Sequence, residues 1–260
     1  MGMGHVLCIG NQKGGVGKTT TSIMLAYLIS QFHKVLCIDM DPQSDFTESL
    51  AEEAAVIFDG KTLLEGMMQR DIRPYIKKIN DNLYFVPSND HLTGIHETLY
   101  TTPKPERYQV LKETLAPVRY DFDFIIVDAA PSPDIKLANC LVAATHVLVM
   151  FKPAKFCDHA LERFFESVVT AQEEANTELH VIGILPCMAD TRRNDVKGFI
   201  STVKEQYGDL VFPMTIKNLA VFERFTIGGF GNNPETVEAA ETYSEVVMEL
   251  MDRFGVKINV

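Results

Sequence analysis

The chain has 260 residues, 46% of them hydrophobic and 23% charged, with a formal net charge of −11. These values fit one compact domain over residues 1–260 with a large core. They exclude nucleic-acid binding by bulk positive charge, and no apolar run approaches the roughly 18 residues of a membrane span.

The first predicted element is a strand over residues 5–9, His-Val-Leu-Cys-Ile. It runs into Gly10-Asn11-Gln12-Lys13-Gly14-Gly15-Val16-Gly17-Lys18-Thr19-Thr20 and then into a helical pattern over residues 19–31. Strand, glycine loop and helix together give a phosphate site. The glycines let backbone N–H groups turn inward onto phosphate oxygens, and the helix N-terminus faces the same anion. Lys18 is placed for the outer phosphates and the Thr19 hydroxyl for Mg²⁺. The usual G-x-x-x-x-G-K-[ST] pattern has glycine where this chain has Gln12, and a second cation, Lys13, follows it. One lysine serves a nucleotide within a monomer, whereas a lysine at the loop's entrance can point to a nucleotide held by another subunit.

A short buried strand is predicted over residues 34–38, leading into Asp39-Met40-Asp41-Pro42-Gln43. Acids at i and i+2 share one orientation on a strand, and ligands gather at strand carboxyl ends in doubly wound sheets. Residues 44–55 read as helix, 62–68 as a short helix, 71–81 as a loop or edge element, 82–88 as a strand stopped by proline, and 106–117 as a helix. The run Asp123-Phe124-Ile125-Ile126-Val127-Asp128 reads as a buried strand ending in an acid placed to hold Mg²⁺ or its water, followed by a turn at Ala129-Ala130-Pro131-Ser132.

Strands follow over residues 146–151 and 179–185, separated by a long helix over 158–175. A polar, basic segment over 187–194 leads into a helix over 195–207. A short last strand is predicted at 211–213, a glycine-rich loop at 225–234 and an acidic helix over 235–254. The alternation gives an α/β fold, a doubly wound, mostly parallel sheet with helices on both faces. Cys8, Cys37, Cys140, Cys157 and Cys187 contain no C-x-x-C pair and read as reduced thiols of a cytoplasmic protein. The phosphate loop begins too close to the first residue for a signal peptide.

The run Lys13-Gly14-Gly15-Val16-Gly17-Lys18-Thr19-Thr20 resembles the deviant Walker A motif of the ParA/MinD superfamily of P-loop ATPases. With Asp39-Met40-Asp41-Pro42-Gln43, Ile125-Ile126-Val127-Asp128-Ala129-Ala130-Pro131-Ser132 and Ala160-Leu161-Glu162, the whole chain resembles a ParA/Soj-type partition ATPase. The sequence departs from that pattern at Arg163, where glycine is usual, at Ser44-Asp45 for glycine-asparagine, and at Ala129-Ala130.

The resemblance implies an ATP-dependent homodimer that hydrolyses ATP slowly until a ParB-like centromere-binding protein stimulates it. Lys13 would cross to the partner subunit's phosphates. Gly14, Gly15, Val16, Gly17, Lys18, Thr19 and Thr20 would bind phosphates in cis, with Gly14 and Gly15 also letting the two loops approach. Thr19, Asp39 and Asp128 would serve Mg²⁺, and Asp41 would position the attacking water. The dimer would bind DNA without sequence preference and associate with the nucleoid or a plasmid. Arg192, Arg193, Lys197, Lys217 and Arg224 are the DNA-contact candidates. No N-terminal helix-turn-helix domain is expected. A MinD-like membrane ATPase would need a basic amphipathic C-terminal helix, and this one is acidic. An iron–sulfur carrier would need cysteines bridging the dimer. Positioning of another cargo is barely separable by sequence.

Overall fold

The computed structural model describes residues 4–154, 157–217 and 234–257. Its frame is one seven-stranded sheet. In chain order the elements are β1 (His5–Gly10), α1 (Lys18–Ile29), β2 (Val35–Asp39), α2 (Asp45–Ala51), α3 (Leu63–Gln69), β3 (Lys77–Lys78), β4 (Leu83–Val86), α4 (Ile95–Thr101), α5 (Val110–Leu115), β5 (Phe124–Asp128), α6 (Ile135–Ala143), β6 (His146–Phe151), α7 (Cys157–Glu174), β7 (His180–Pro186), α8 (Asn194–Tyr207) and α9 (Pro234–Phe254).

The strand order is β3-β4-β2-β5-β1-β6-β7. Every pair is parallel except β3 with β4. The unbroken apolar runs of the strands follow from burial on both faces. Val6, Leu36, Ile38, Ile125, Val127, Val147 and Val149 face one core, shared with Leu99 of α4, Leu111 of α5, Leu141 of α6 and Phe164 of α7. The alternate residues Leu7, Ile9, Val35, Phe124, Ile126, Leu148 and Met150 face the other, shared with Met24 and Leu25 of α1 and with Val246 and Leu250 of α9. Each such side chain contributes about 1.5–3 kcal/mol by leaving water.

Register brings three strand ends together. Ile9 pairs with Asp128, and Asp39 pairs with Asp128 across β2 and β5. The glycine loop, Asp39 and Asp128 therefore lie side by side at the carboxyl edge. Gly10 closes β1 directly beneath α7, where an added Cβ would stand 2.4 Å from the Phe164 ring.

Several expected elements differ in extent. Residues 106–117 split into a 3₁₀ turn, Glu106–Tyr108, and α5. Residues 211–213 form no strand; Val211 makes an isolated bridge to Ile184. Pro213 lacks an N–H to extend it. The helices α4 and α6 were not expected. The glycine-rich stretch at 225–233 lies outside the described residues. Cys8, Cys37, Cys140 and Cys187 are buried free thiols.

At the opposite edge, His5, His146 and His180 begin adjacent strands β1, β6 and β7. The His146 ring lies 5.7 Å from His5, 5.7 Å from His180 and 4.7 Å from Phe254, and its Nδ1 is 2.9 Å from Thr145 Oγ1. Burial first, then the neighbouring His5 and His180, lowers its pKa to about 4. The folded state therefore holds the ring neutral, whereas the unfolded chain takes a proton near pH 6.5. The resulting stability is complete above about pH 6.5 and is lost as pH falls toward 4. Urea midpoints measured at pH 7 and pH 5 should fall less for His146→Phe than for the wild type. Equal falls would remove His146 as the cause.

Candidate nucleotide site

The site is built on the seven residues between β1 and α1. Gly15 and Gly17 have φ of +65° and +83°, the left-handed region that turns successive amides inward. Asn11, 3% exposed, pins the start of the loop. Its Oδ1 accepts from the Lys13 N–H at 2.8 Å and its Nδ2 donates to the Met150 carbonyl. Among the described residues, a Cβ added at Gly14 or Gly15 would meet nothing within 4 Å, so the loop is open there.

The two lysines of the loop are placed differently. Lys13 is exposed. Lys18 is 7% exposed and folds back over the loop, its Nζ 3.3 Å from the Lys13 carbonyl. Burial lowers its pKa, opposed by Asp128 and Asp41. A phosphate group would restore what burial removes. Lys152, which follows β6, adds a third cation, its Nζ 3.4 Å from the Gly15 carbonyl. Sequence reasoning missed Lys152 as a site residue; the available signal was its position just past a strand's carboxyl end.

Asp128 is 1% exposed. It accepts from Thr19 Oγ1 at 2.8 Å and from Ser22 Oγ at 2.8 Å. Burial raises its pKa to about 6 against those hydrogen bonds and Lys18. A buried acid in contact with a loop hydroxyl fits a divalent cation, whose charge would reverse that shift. Thr19 and Asp128, expected to act together on the metal, are thus in direct contact. Ser22, one turn along α1, completes the pair's support and was missed.

Asp39 and Asp41 occupy different places. β2 ends at Asp39, and Asp41 stands beyond it in a turn closed by the Ser44 N–H on the Asp41 carbonyl at 3.0 Å. They are therefore not two residues of one strand face. Asp39, 2% exposed, accepts from the Thr47 N–H at 2.9 Å and hydroxyl at 2.8 Å, and from the Asp41 N–H at 3.1 Å. Burial, then Asp128, raises its pKa to about 8. Asp41 is half-buried, and its Oδ1 accepts from the Gln43 N–H at 3.1 Å. Ser44 adopts φ +62°, the conformation for which glycine is the easier residue.

The basic segment lies against the same loop. Cys187 Sγ is 2.7 Å from the Val16 carbonyl, and a Cβ on Gly17 would come within 3.3 Å of Met188. Each arginine of the segment carries its own carboxylate. Arg192 clasps Asp190 at 2.8 and 3.0 Å, and Arg193 clasps Asp195 at 3.1 and 2.7 Å. Lys197 and Lys217 are exposed. Arg224 lies outside the described residues.

Inward amides, a lysine bent over them and a hydroxyl of α1 bonded to a carboxylate on the adjoining strand make this a P-loop ATPase site. A family model described as an AAA domain matches residues 4–181. The chromosome-partitioning ATPase Soj of Treponema pallidum is 31% identical over 97% of this chain and 99% of its own. The sporulation initiation inhibitor Soj of Bacillus subtilis is 33% identical over 82% of this chain and 84% of its own. Among solved structures, an ATP complex of an aspartate-to-alanine variant of Cyanothece McdA superposes with a TM-score of 0.86 at 25% identity, covering 100% of both chains. A Mycobacterium smegmatis cobyrinic acid a,c-diamide synthase with an ATP analogue and magnesium gives 0.79 at 25% identity, covering 98% of each. The chain belongs to the ParA/Soj family of P-loop ATPases.

Proposed function

We propose that the chain is a partition ATPase in which ATP gates a homodimer that holds DNA. The observation that carries this reading is the open outer side of Gly14 and Gly15 beside the exposed Lys13. A second subunit has room to approach there, and Lys13 is an exposed cation next to that opening. Within one subunit, the amides of residues 14–20 and the Lys18 ammonium hold the phosphates, and Thr19 and Asp128 hold Mg²⁺. Bound Mg²⁺ would neutralise charge on the phosphate oxygens. Asp41 orients the attacking water. Asp39, its oxygens already accepting from Thr47 and Asp41, acts on the metal side through the placement of that turn. Catalysis on this scheme is positioning and charge neutralisation.

DNA is held by exposed cations of the dimer, with Arg192, Arg193, Lys197, Lys217 and Arg224 as the candidates. The carboxylates paired to Arg192 and Arg193 are exposed and are displaced by phosphate at little cost. A ParB-like protein stimulates hydrolysis and releases the dimer. Among the described residues no helix is long and apolar enough to cross a membrane. Co-sedimentation with plasmid DNA tests the reading. Binding should require ATP, fail with ADP and weaken steeply with salt. Binding to anionic liposomes with none to DNA would sink it.

A further inference from the structure

Gln12 occupies the position of a glycine in an ordinary phosphate loop, and its side chain reaches a distant element. Its Nε2 donates to the Arg163 carbonyl at 3.1 Å and to the Ser167 hydroxyl at 2.9 Å, both on α7. Ser167 Oγ donates in turn to the Arg163 carbonyl at 3.2 Å, closing a triangle of polar groups. The loop is thus clamped at two successive residues. Asn11 holds it to the end of β6, and Gln12 holds it to α7. The residue that emerges from this clamp is Lys13.

α7 is not packed against α6 along its whole length. A groove of about 500 Å³ separates them, lined by Leu137, Ala138 and Leu141 on one side and by Arg163, Ser167 and Thr170 on the other, with Gln12 at one end. Side chains facing a groove lack dispersion partners there. The polar link to Gln12 joins α7 to the loop beside the packing of Phe164 over Gly10. Of the groups that would hold phosphate in cis, Lys18 and Thr19 belong to α1 and Thr19 is bonded to Asp128, while the loop amides are turned inward by Gly15 and Gly17; Lys18 Nζ also rests on the Lys13 carbonyl.

We propose that Gln12 is a positioning residue whose bonds to α7 fix the reach of Lys13, so that the position of α7 sets the affinity of the ATP-bound dimer. The inference rests on the dimer reading above. A misplacement of about 1 Å in a positioned group changes its effect by up to about 100-fold, so loss of the clamp should be felt in the contact made across subunits and not in cis nucleotide binding.

The test compares wild type, Gln12→Ala, Ser167→Ala and the double variant by sedimentation velocity with ATP, alongside monomer affinity for a fluorescent ADP analogue. Gln12→Ala should weaken the ATP dimer about tenfold, Ser167→Ala about threefold, and the double variant no more than Gln12→Ala alone, because the two residues act in one network. ADP affinity should stay within about twofold throughout, since the cis groups are untouched. Wild-type dimer affinity in Gln12→Ala, multiplicative losses in the double variant, or ADP affinity falling in step with dimer affinity would each overturn the proposal. A wild-type protein that stays monomeric with ATP overturns the dimer reading and this inference together. A wild-type dimer matched by Gln12→Ala overturns only the role of Gln12.

Discussion

Replacing Lys13 with glutamine is expected to leave a monomer that binds ATP and no longer closes into a dimer. On the proposed dimer reading the two lysines of the loop divide the work. Lys18 lies buried over the loop, where phosphates would meet it in the same subunit. Lys13 stands exposed beside two glycines whose outer sides are open. A cation delivered in trans to the transition state contributes about 10³–10⁵ in rate. Hydrolysis by Lys13→Gln should therefore fall by at least about 10³-fold, while ATP affinity of the monomer changes by less than about threefold, since on this reading its side chain serves the other subunit's phosphates. Steady-state phosphate release, equilibrium ATP binding and sedimentation with ATP measure the three quantities. ATP-dependent DNA binding at wild-type strength in this variant would contradict a trans role.

Alanine at Asp41 is expected to give the opposite outcome, a dimer that forms and does not come apart. The Asp41 carboxylate is held at the strand end by the turn that Asp39 anchors. Its removal should spare nucleotide binding and subunit closure. Loss of a group that orients the nucleophile costs about 10²–10⁴ in rate. The variant should co-sediment with plasmid DNA in ATP and remain there as the wild type dissociates. Normal turnover by Asp41→Ala would remove that residue from catalysis.

The parts of this molecule that were legible in sequence are those dictated by neighbours along the chain. Short apolar runs gave β1, β2, β5, β6 and β7 to within a residue or two, because parallel strands buried on both faces leave no polar interruption. The phosphate loop was legible because its backbone conformation demands glycine at Gly15 and Gly17. By contrast, α6 was missed. It is nine residues long, and eight of them are buried, the polar Lys136 and Asn139 among them; Asp134, which caps it by accepting from the Lys136 and Leu137 N–H groups, was the available signal. The i, i+2 rule failed for Asp39 and Asp41 because the strand stops at the first of them. The Gln12 clamp joins groups 151 and 155 residues apart, and nothing local announces such a contact. The carboxylates beside Arg192 and Arg193 were present in the sequence, but their bidentate pairing depends on rotamers.

The strands that carry the phosphate loop, Asp39 and Asp128 are β1, β2 and β5, the middle three of the seven. The outer strands and the helices beyond them contribute scaffold and surface. Outer points touch the phosphate loop directly, α7 through Gln12, Lys152 after β6 and Cys187 after β7; sites elsewhere on the margins are distant from it, and distant sites behave nearly independently. The hydrolytic site is thus lodged among the middle strands, and surface distant from it can change at little cost to the chemistry. Chains of this fold can keep the same clock while their margins diverge.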